Sequence, residues 1–313
     1  MENVKIKKIL IAGGAGFIGS SLANELIVSG FEVVVMDNLA TGNKKNLNSR
    51  VKFYLADIRD EGMVNKIFKA EKPDIVINQA AKVYWDESEK KDLTADLLTS
   101  AVGTINLLKN CVIYKVKKFI FASSISVYGC PRNKIKMSEA DKIDFADMPK
   151  VLFSYGFSKY SAERYIMHFN SLYGLKYTIL RYSHIFGPGQ KDDAIAKFIV
   201  KAVKKEKLII YGDGEQSRDY LYIDDVVRAI ALAIKKGDNQ LLNIGSGRKT
   251  SANKLVKEIT AATKLKINFA YNNEKMDNQK TFMDINLAKK ELDWRPAVSL
   301  RQGIIKIYKS MNL

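Results

Sequence analysis

A glycine-rich turn constrains the possible fold of this chain more than any other part of its sequence. Residues 9–12 form the apolar run Ile-Leu-Ile-Ala, which leads into Gly-Gly-Ala-Gly-Phe-Ile-Gly at 13–19 and then into a helical pattern. Glycine allows a tight turn and a close approach of backbone to a pyrophosphate, and the free N–H groups of a helix start attract its charge. The order strand, turn, helix therefore predicts a dinucleotide-binding βαβ unit. The predicted contacts in the turn are Gly13, Gly16, Phe17, Ile18 and Gly19.

Short apolar runs alternate with amphipathic stretches through the first 180 residues. The runs are apolar throughout, which is typical of strands buried on both faces of a parallel sheet, and the stretches between them suit crossover helices. The alternation predicts an α/β fold with a doubly wound parallel sheet, the Rossmann arrangement. The predicted strands are 8–12, 32–36, 51–55, 74–78, 118–122 and 176–180, and the clearest predicted helices are 17–29, 93–114 and 155–173.

The regular alternation ends at the turn Gly-Pro-Gly-Gln of residues 187–190. Beyond it, a predicted helix at 224–236 and a predicted strand at 241–244 are expected to return the chain to the main sheet. We therefore predict a dinucleotide-binding domain made of residues 1–187 and 223–249. The remaining residues, 188–222 and 250–313, are predicted to form a smaller, discontinuous α/β cap that binds the substrate.

The net charge of the chain raises the question of a nucleic-acid partner. Its 51 Lys and Arg exceed its 34 Asp and Glu, for a formal charge of +17. The lysines are spread along the chain in pairs, without the basic tract interleaved with aromatic residues that nucleic-acid binding uses. We interpret the charge as a solvated surface that also attracts a phosphorylated substrate, and we predict no nucleic-acid binding.

Membrane and metal functions are also disfavoured. No stretch approaches 18 uncharged apolar residues and no signal-peptide pattern is present, so the sequence predicts a cytoplasmic protein without membrane contact. Cys111 and Cys130 are far apart and outside any CxxC pattern, and His168 and His184 are the only histidines. Neither a disulfide framework nor a metal site is predicted.

Acidic residues follow the second and third predicted strands. Asp37 stands eighteen residues after Gly19, where a carboxylate accepts hydrogen bonds from a ribose and repels a 2′-phosphate, so NAD is favoured over NADP. The alternative for Asp37 is a plain strand-end residue. Asp57 is placed to take the adenine amino group, or else to cap the helix that begins near residue 60. The predicted contacts here are Asp37, Asn38, Asp57 and Ile58.

A Tyr-x-x-x-Lys pattern supplies the candidate chemistry. Tyr155 and Lys159 stand four residues apart at the start of a predicted helix and so share one face. An ammonium at Lys159 is expected to lower the pKa of the Tyr155 phenol, which then takes a hydroxyl proton while a nicotinamide accepts the hydride. A serine of the segment Ser123–Gly129, which follows a predicted strand, is expected to hold the same oxygen. Alone, the pattern also fits an exposed helical pair.

With these motifs in order, the chain resembles the extended short-chain dehydrogenase/reductase family, in its NAD-dependent nucleotide-sugar epimerase and dehydratase branch. The resemblance covers nearly the whole chain and includes Asn-Gln-Ala-Ala at 78–81, Leu-Arg-Tyr at 180–182 and Gly-Asp-Gly-Glu-Gln-Ser-Arg-Asp-Tyr at 212–220. It implies that Tyr155 is the acid/base, that Lys159 also binds the nicotinamide ribose, and that Ser124 is the catalytic hydroxyl. It further implies cofactor contacts at Gln79, Ala80, Ala81 and Tyr182, and substrate contacts at Ser124, Ser126, Tyr155, His184, Arg218 and Asp277.

The resemblance implies oxidation of a nucleoside-diphosphate sugar, usually at C4, to a ketone. Dehydratases of the branch usually carry an acidic pair after the catalytic hydroxyl, whereas this chain has Ile125 and Ser126 there. A 4-epimerase is therefore the leading interpretation. A net C4 dehydrogenase or ketoreductase is the second, and a dinucleotide-binding regulator without catalysis is the third.

Several positions depart from the family pattern and leave the nucleotide open. His184 stands where an asparagine is common, and Glu-Lys-Met-Asp at 274–277 replaces Arg-Pro-Gly-Asp, so that one expected diphosphate contact is missing or replaced by Lys275. Residues 82–88 carry unusual aromatic side chains, and Ser100 replaces an asparagine. Arg218 remains the predicted diphosphate ligand, because a guanidinium pairs with two phosphate oxygens.

Family members commonly dimerise through two helices of each subunit, which here match residues 93–114 and 155–173. The resemblance thus implies a homodimer or a higher homo-oligomer. The candidate interface residues also fit helix faces packed on their own sheet. They are Ile105, Leu108, Ile166 and Phe169.

Overall fold

A seven-stranded parallel sheet forms the centre of the protein. The computed structural model describes residues 6–81, 94–129, 135–146, 148, 150–190, 193–272 and 280–311. In the sheet the strands lie in the order β12-β7-β5-β4-β1-β2-β3, and each neighbouring pair is parallel. Its strands are β1 (Lys8–Ala12), β2 (Glu32–Asp37), β3 (Lys52–Leu55), β4 (Ile75–Asn78), β5 (Lys118–Ser124), β7 (Lys176–Tyr182) and β12 (Gln240–Ile244).

Helices cover both faces of this sheet. Alternate residues of a strand point to opposite faces, so Ile9 and Ile11 of β1 enter one apolar core while Leu10 and Ala12 enter the other. The predicted α/β fold with a doubly wound parallel sheet is confirmed. The helices are α1 (Phe17–Val28), α2 (Glu61–Glu71), α3 (Ala95–Leu97), α4 (Gly103–Ile113), α5 (Lys150–Tyr173), α6 (Ala194–Val203), α7 (Ile223–Ala233), α8 (Ala252–Thr263), α9 (Asn286–Leu292) and α10 (Leu300–Ser310).

The predicted helix of residues 93–114 is interrupted within its described part. A π-helical turn at Leu98–Val102 separates α3 from α4. The predicted helix of 155–173 begins earlier than expected, at Lys150. As a result Tyr155 and Lys159 lie inside a long helix, where packing on the sheet holds their side chains in place.

Small two-stranded sheets lie outside the main sheet, and all of their strands except β6 follow β7 in the sequence. β8 (His184–Phe186) pairs in parallel with β11 (Tyr220–Tyr222), and β9 (Leu208–Tyr211) pairs in parallel with β14 (Phe269–Asn272). β10 (Ser217–Arg218) pairs with β13 (Thr250–Ser251), and β6 (Lys136–Met137) pairs with β15 (Phe282–Met283). Strand β12 then pairs with β7 at the edge of the main sheet. The domain boundaries stay a prediction.

The order of strands places the functional groups. The carboxyl ends of parallel strands meet at one edge of a sheet, and ligands of open α/β folds bind at that edge where the strand order reverses. Here the reversal lies between β1 and β4, which pair with each other. The glycine turn and the segment after β4 therefore lie side by side. Among the described residues no helix is long and apolar enough to span a membrane; the cytoplasmic location stays a prediction.

Candidate active site

The glycine turn has a conformation that glycine alone adopts without strain. Gly13 has φ +72°, in the left-handed region, and its N–H donates to the carbonyl of Met36 at 2.9 Å. A Cβ at Gly13 would lie 2.5 Å from the backbone nitrogen of Ala80, so the turn is pressed against the segment after β4. Gly19, a predicted dinucleotide contact, instead packs against Gly13 and lines neither of the two cavities at this edge of the sheet.

The carboxylate of Asp37 fixes the glycine turn to the end of β2. Asp37 is 8% exposed. One carboxylate oxygen accepts the N–H of Ala15 at 2.9 Å and the other accepts the N–H of Leu39 at 2.7 Å. Asp37 therefore has the structural role of a strand-end residue. Each oxygen retains a second lone pair that is able to accept a ribose hydroxyl, so the ribose contact stays a prediction beside this structural role.

A cavity of about 190 Å³ lies beside the turn. Most of the predicted dinucleotide contacts line it: Gly13, Gly16, Asp37, Asn38, Asp57, Ile58, Gln79, Ala80 and Ala81. Four further residues that no sequence motif indicated also line this cavity: Ala40, Thr41, Arg59 and Thr99.

Asp57 is paired with a cation in this cavity. Arg59 donates to its two carboxylate oxygens at 3.0 and 2.8 Å, and Asn38 donates to it at 2.8 Å. The hydrogen bond from Arg59, with smaller effects of its charge and of Asn38, lowers the pKa of Asp57 to about 2. The alternative role of Asp57 as a helix cap is wrong, because Asp60 caps α2 by accepting the N–H of Met63 at 2.9 Å.

A second cavity, of about 480 Å³, continues the site toward the part of the chain after β7. Gln79 of the first cavity donates to the hydroxyl of Tyr182 in the second at 3.2 Å, so the two cavities adjoin. The predicted contacts that line the second cavity are Phe17, Ile18, Ser124, Ser126, Tyr155, Tyr182, His184 and Arg218.

Ser124 and Tyr155 meet at the wall of the second cavity. Ser124 ends β5, and its hydroxyl accepts the N–H of Ser126 at 3.1 Å at the start of a 3₁₀ turn, Ile125–Tyr128. Tyr155 hydrogen-bonds with Ser124. Burial raises the pKa of Tyr155 to about 12, against the lowering effect of that hydrogen bond. The predicted lowering of the Tyr155 pKa by Lys159 is wrong, because burial raises this pKa and the opposing hydrogen bond comes from Ser124.

Lys159 is buried behind Tyr155. It is 1% exposed and donates to the carbonyl of Ala122 at 2.7 Å. Its Nζ lies 4.7 Å from the centroid of the Phe121 ring and 5.9 Å from that of Tyr155. Burial lowers the pKa of Lys159 to about 7, while the negative charges of Glu163 and Asp96 raise it. The alternative that Tyr155 and Lys159 are an exposed helical pair is therefore wrong, because Lys159 is buried beside Tyr155.

Comparison with known proteins decides the family. The family model described as NAD dependent epimerase/dehydratase family matches residues 9–245. The chain belongs to this family. A structure of UDP-glucose 4-epimerase with UDP-glucose from Thermotoga maritima is 37% identical, with a TM-score of 0.87 and coverage of 97% of this chain and 98% of that one. The structure of the Thermus thermophilus UDP-glucose 4-epimerase complex with NAD is 29% identical, with a TM-score of 0.83 and coverage of 97% of this chain and 99% of that one.

A sequence relative agrees with these structures. The UDP-glucose 4-epimerase of Mycolicibacterium smegmatis is 32% identical over 314 residues, which cover 96% of each chain. The predictions of the family, of an NAD-dependent enzyme and of NAD as cofactor are confirmed. Among the residues that the structure describes, no group of three His, Cys, Asp or Glu side chains is placed to hold a metal ion.

The glycine turn and the residues that line the first cavity fit NAD, the cofactor of this family. The glycine turn leaves backbone exposed where a side chain would collide, and the first cavity runs from this turn to the carboxylates of Asp37 and Asp57. A helix N-terminus beside a glycine turn attracts a pyrophosphate, and an acceptor at the end of β2 suits a ribose. These groups would hold the adenosine half of NAD, and Tyr155 and Lys159 would face its nicotinamide half.

His184 and Arg218 both line the second cavity. Burial lowers the pKa of His184 to about 3, and the charge of Arg218 acts in the same direction. The Nδ1 atom of His184 is buried without a hydrogen-bond partner among the described residues. A neutral imidazole and a guanidinium thus share the wall of this cavity, and both suit contact with an anionic group.

Some predicted positions fall elsewhere. Asp277, Lys275 and residues 82–88 lie outside the described residues. Ser100, which replaces an expected asparagine, is buried in the π-helical turn. The second cavity also includes side chains that no motif indicated, because they come from segments distant in sequence: Met137, Met148, Leu152, Asp193 and Thr281. Glu163 lines neither cavity, and its spacing of four residues from Lys159 was a signal in the sequence for its position near that lysine.

Proposed function

We propose that this protein is a 4-epimerase of a UDP-linked sugar, such as UDP-glucose. The observation that carries the proposal is the meeting of Ser124 and Tyr155, with Lys159 behind them, on the wall of a cavity that adjoins the dinucleotide cavity. The UDP-glucose bound by the Thermotoga maritima relative supports the choice of nucleotide. Arg218 and His184 would then contact the diphosphate.

The side chains divide the work of the reaction. When bound, oxidised NAD supplies a reversible hydride acceptor and a positive charge. Tyr155 takes the proton of the sugar C4 hydroxyl at its phenolic oxygen and returns it when the sugar presents its other face. Its pKa of about 12 requires nearby positive charge for this step, and the Nζ atom of Lys159 lies 5.9 Å from the centroid of its ring. Ser124 holds the same sugar oxygen through its hydroxyl.

The composition of the turn after β5 favours epimerisation over loss of water. Elimination needs an acid and a base beside the oxidised sugar. Ile125 and Ser126, the first two residues of the 3₁₀ turn, carry neither a carboxyl group nor an amine, and both line the second cavity. The turn after β5 therefore supplies neither an acid nor a base for elimination, whereas proton transfer by Tyr155 is sufficient for epimerisation.

Incubation of the purified protein with NAD and UDP-glucose tests the proposal. We expect UDP-galactose by proton NMR, without net NADH absorbance. Tyr155→Phe is expected to reduce kcat by about 10²- to 10⁴-fold, because it removes the proton-transfer group. Tyr160→Phe is the control, since a ring at 160 keeps its contacts with Phe145 and Arg164. Accumulation of a keto sugar with NADH would support the dehydrogenase alternative instead, and full activity of Tyr155→Phe would contradict the assigned chemistry.

We also propose a homodimer that is formed by the surface of α3, the π-helical turn and α5. Large apolar side chains are exposed there, and Phe153 and Phe157 stack with ring centroids 6.0 Å apart. A cluster of exposed apolar side chains is typical of a protein interface. Leu108 and Ile166 were wrong candidates, because they are buried in the core of their own subunit. The exposed side chains are Leu97, Leu98, Val102, Phe153, Phe157 and Tyr165.

A further inference from the structure

A buried ion pair lies beneath the proposed catalytic residues. Glu163 is 0% exposed and Arg181 is 3% exposed. Arg181 donates to both carboxylate oxygens of Glu163, at 2.9 and 2.6 Å, and Ser123 donates to Glu163 at 2.5 Å. Neither partner of the pair lines the two cavities, so the pair does not contact substrate or cofactor. A buried pair of this kind is weak evidence for stability, and its position suggests another role.

Glu163 stands on the same helix face as the catalytic candidates. Tyr155, Lys159 and Glu163 follow one another at intervals of four residues along α5. The charge of Glu163 raises the pKa of Lys159 against the lowering effect of burial, and the charge of Asp96 acts in the same direction. Glu163 therefore favours the cationic form of Lys159, which the proposed chemistry requires.

The same carboxylate fixes the end of β5. Ser123 hydrogen-bonds to Glu163 and immediately precedes Ser124. Because successive side chains of a strand point to opposite faces, holding Ser123 on one face sets the direction of Ser124 on the other. Arg181 also lies over the ring of Tyr128, whose hydroxyl donates to Asn243 at 2.7 Å. The pair thus connects helix α5 with strands β5, β7 and β12.

We propose that Glu163 is a positioning residue of this enzyme: its carboxylate, which Arg181 holds in place, stabilises the ammonium group of Lys159 and directs Ser124. This inference rests on the proposed function for the meaning of Lys159 and Ser124. Within the described part of the chain, the titratable groups that lie beside Lys159 or act on its charge are Tyr155, Glu163 and Asp96. Of these, Glu163 is the group that also contacts the strand leading to Ser124.

The protonation of Lys159 is the quantity to measure. We would titrate the ¹³Cε signal of Lys159 by NMR in lysine-labelled full-length protein with NAD, and identify the signal by its loss in Lys159→Arg. Glu163→Gln is expected to lower the titration midpoint by about one pH unit, because it removes the charge that favours the ammonium. The cationic form exists below its pKa, so the high-pH limb of kcat for UDP-glucose should move down by the same amount. KM should change less than kcat.

Two further variants separate charge from structure. Ser123→Ala removes a hydrogen bond without removing charge and is expected to leave the Lys159 midpoint in place. Glu163→Gln with Arg181→Met removes both charges, avoids a buried unpaired arginine, and decides the question if Glu163→Gln alone does not fold. An unchanged Lys159 midpoint in a folded variant that lacks Glu163 would overturn the proposal. A lowered midpoint without turnover of any UDP-sugar would refute the proposed function and leave the control of Lys159 by Glu163 standing.

Discussion

Replacement of Gly13 by alanine tests whether the turn needs glycine at position 13 to keep its conformation. Gly13 has φ +72°, where an L-residue costs about 1–2 kcal/mol. The new Cβ would also lie 2.5 Å from the backbone nitrogen of Ala80, which is unable to move aside as a flexible side chain does. Crowding of this kind costs about 1–3 kcal/mol more. Gly13→Ala should therefore lower the free energy of unfolding by about 2–5 kcal/mol.

Gly30→Ala is a matched control for this experiment. Gly30 has φ +86°, and no neighbouring atom lies within 4 Å of the position that a Cβ would take, so it carries the backbone strain without the collision. It should cost about 1–2 kcal/mol, and the change in unfolded-chain entropy is the same in both variants. The difference between the two, measured by urea denaturation at equilibrium, is the steric contribution of the approach between Gly13 and Ala80.

The same pair of variants tests cofactor binding. Ala80 lines the dinucleotide cavity, so a displaced turn should weaken NAD binding by tenfold or more, equivalent to about 1.4 kcal/mol. Gly30 is remote from the cavity lining, and Gly30→Ala should bind NAD as the wild type does. Isothermal titration calorimetry measures both constants. Equal losses of stability and of NAD affinity in the two variants would refute the assigned role of the close approach.

Two other predictions concern pH and assembly. The folded-state pKa of His184, about 3, lies below its ordinary value, so the stability it contributes is present above pH 6.5 and is lost as the pH falls toward 3. Between pH 6.5 and pH 5 the free energy of unfolding should fall by about 2 kcal/mol from this effect. Urea unfolding at several pH values should show this decrease in the wild type and not in His184→Asn. The same pH dependence in both proteins would contradict the prediction. Phe157→Glu places a charge in the exposed apolar cluster and should produce a monomer in light scattering, whereas Tyr173→Glu, at the far end of α5, should leave the assembly intact. A monomeric wild type would contradict the proposed interface.

Local patterns were sufficient for the framework of the site. The glycine turn follows β1 directly, the spacing of Tyr155 and Lys159 lies within one helix, and each apolar run of the main sheet is a short contiguous segment. Such features depend on residues that are close in sequence, where backbone geometry and side-chain periodicity act directly. The family, the doubly wound sheet and the use of NAD could therefore be predicted before the structure was known.

Contacts between segments that are distant in sequence could not be predicted from such local patterns. The carboxylate of Asp37 holds the glycine turn from 22 residues away, and Asp60 rather than Asp57 caps α2. The far wall of the second cavity brings together Asp193 and Thr281, which no motif connects. These arrangements follow from the packing of whole helices and strands, which the spacing of residues along the sequence does not predict.

The sequence by itself determined which groups are the catalytic candidates and which cofactor is expected, because Ser124, Tyr155, Lys159 and the glycine turn are recognisable from residue type and order. Only the tertiary structure decided the state of those groups. Burial raises the pKa of Tyr155 to about 12 and lowers that of Lys159 to about 7. Desolvation depends on all the elements packed around a side chain, and the charges that oppose it, such as that of Glu163, act only when folding brings them close.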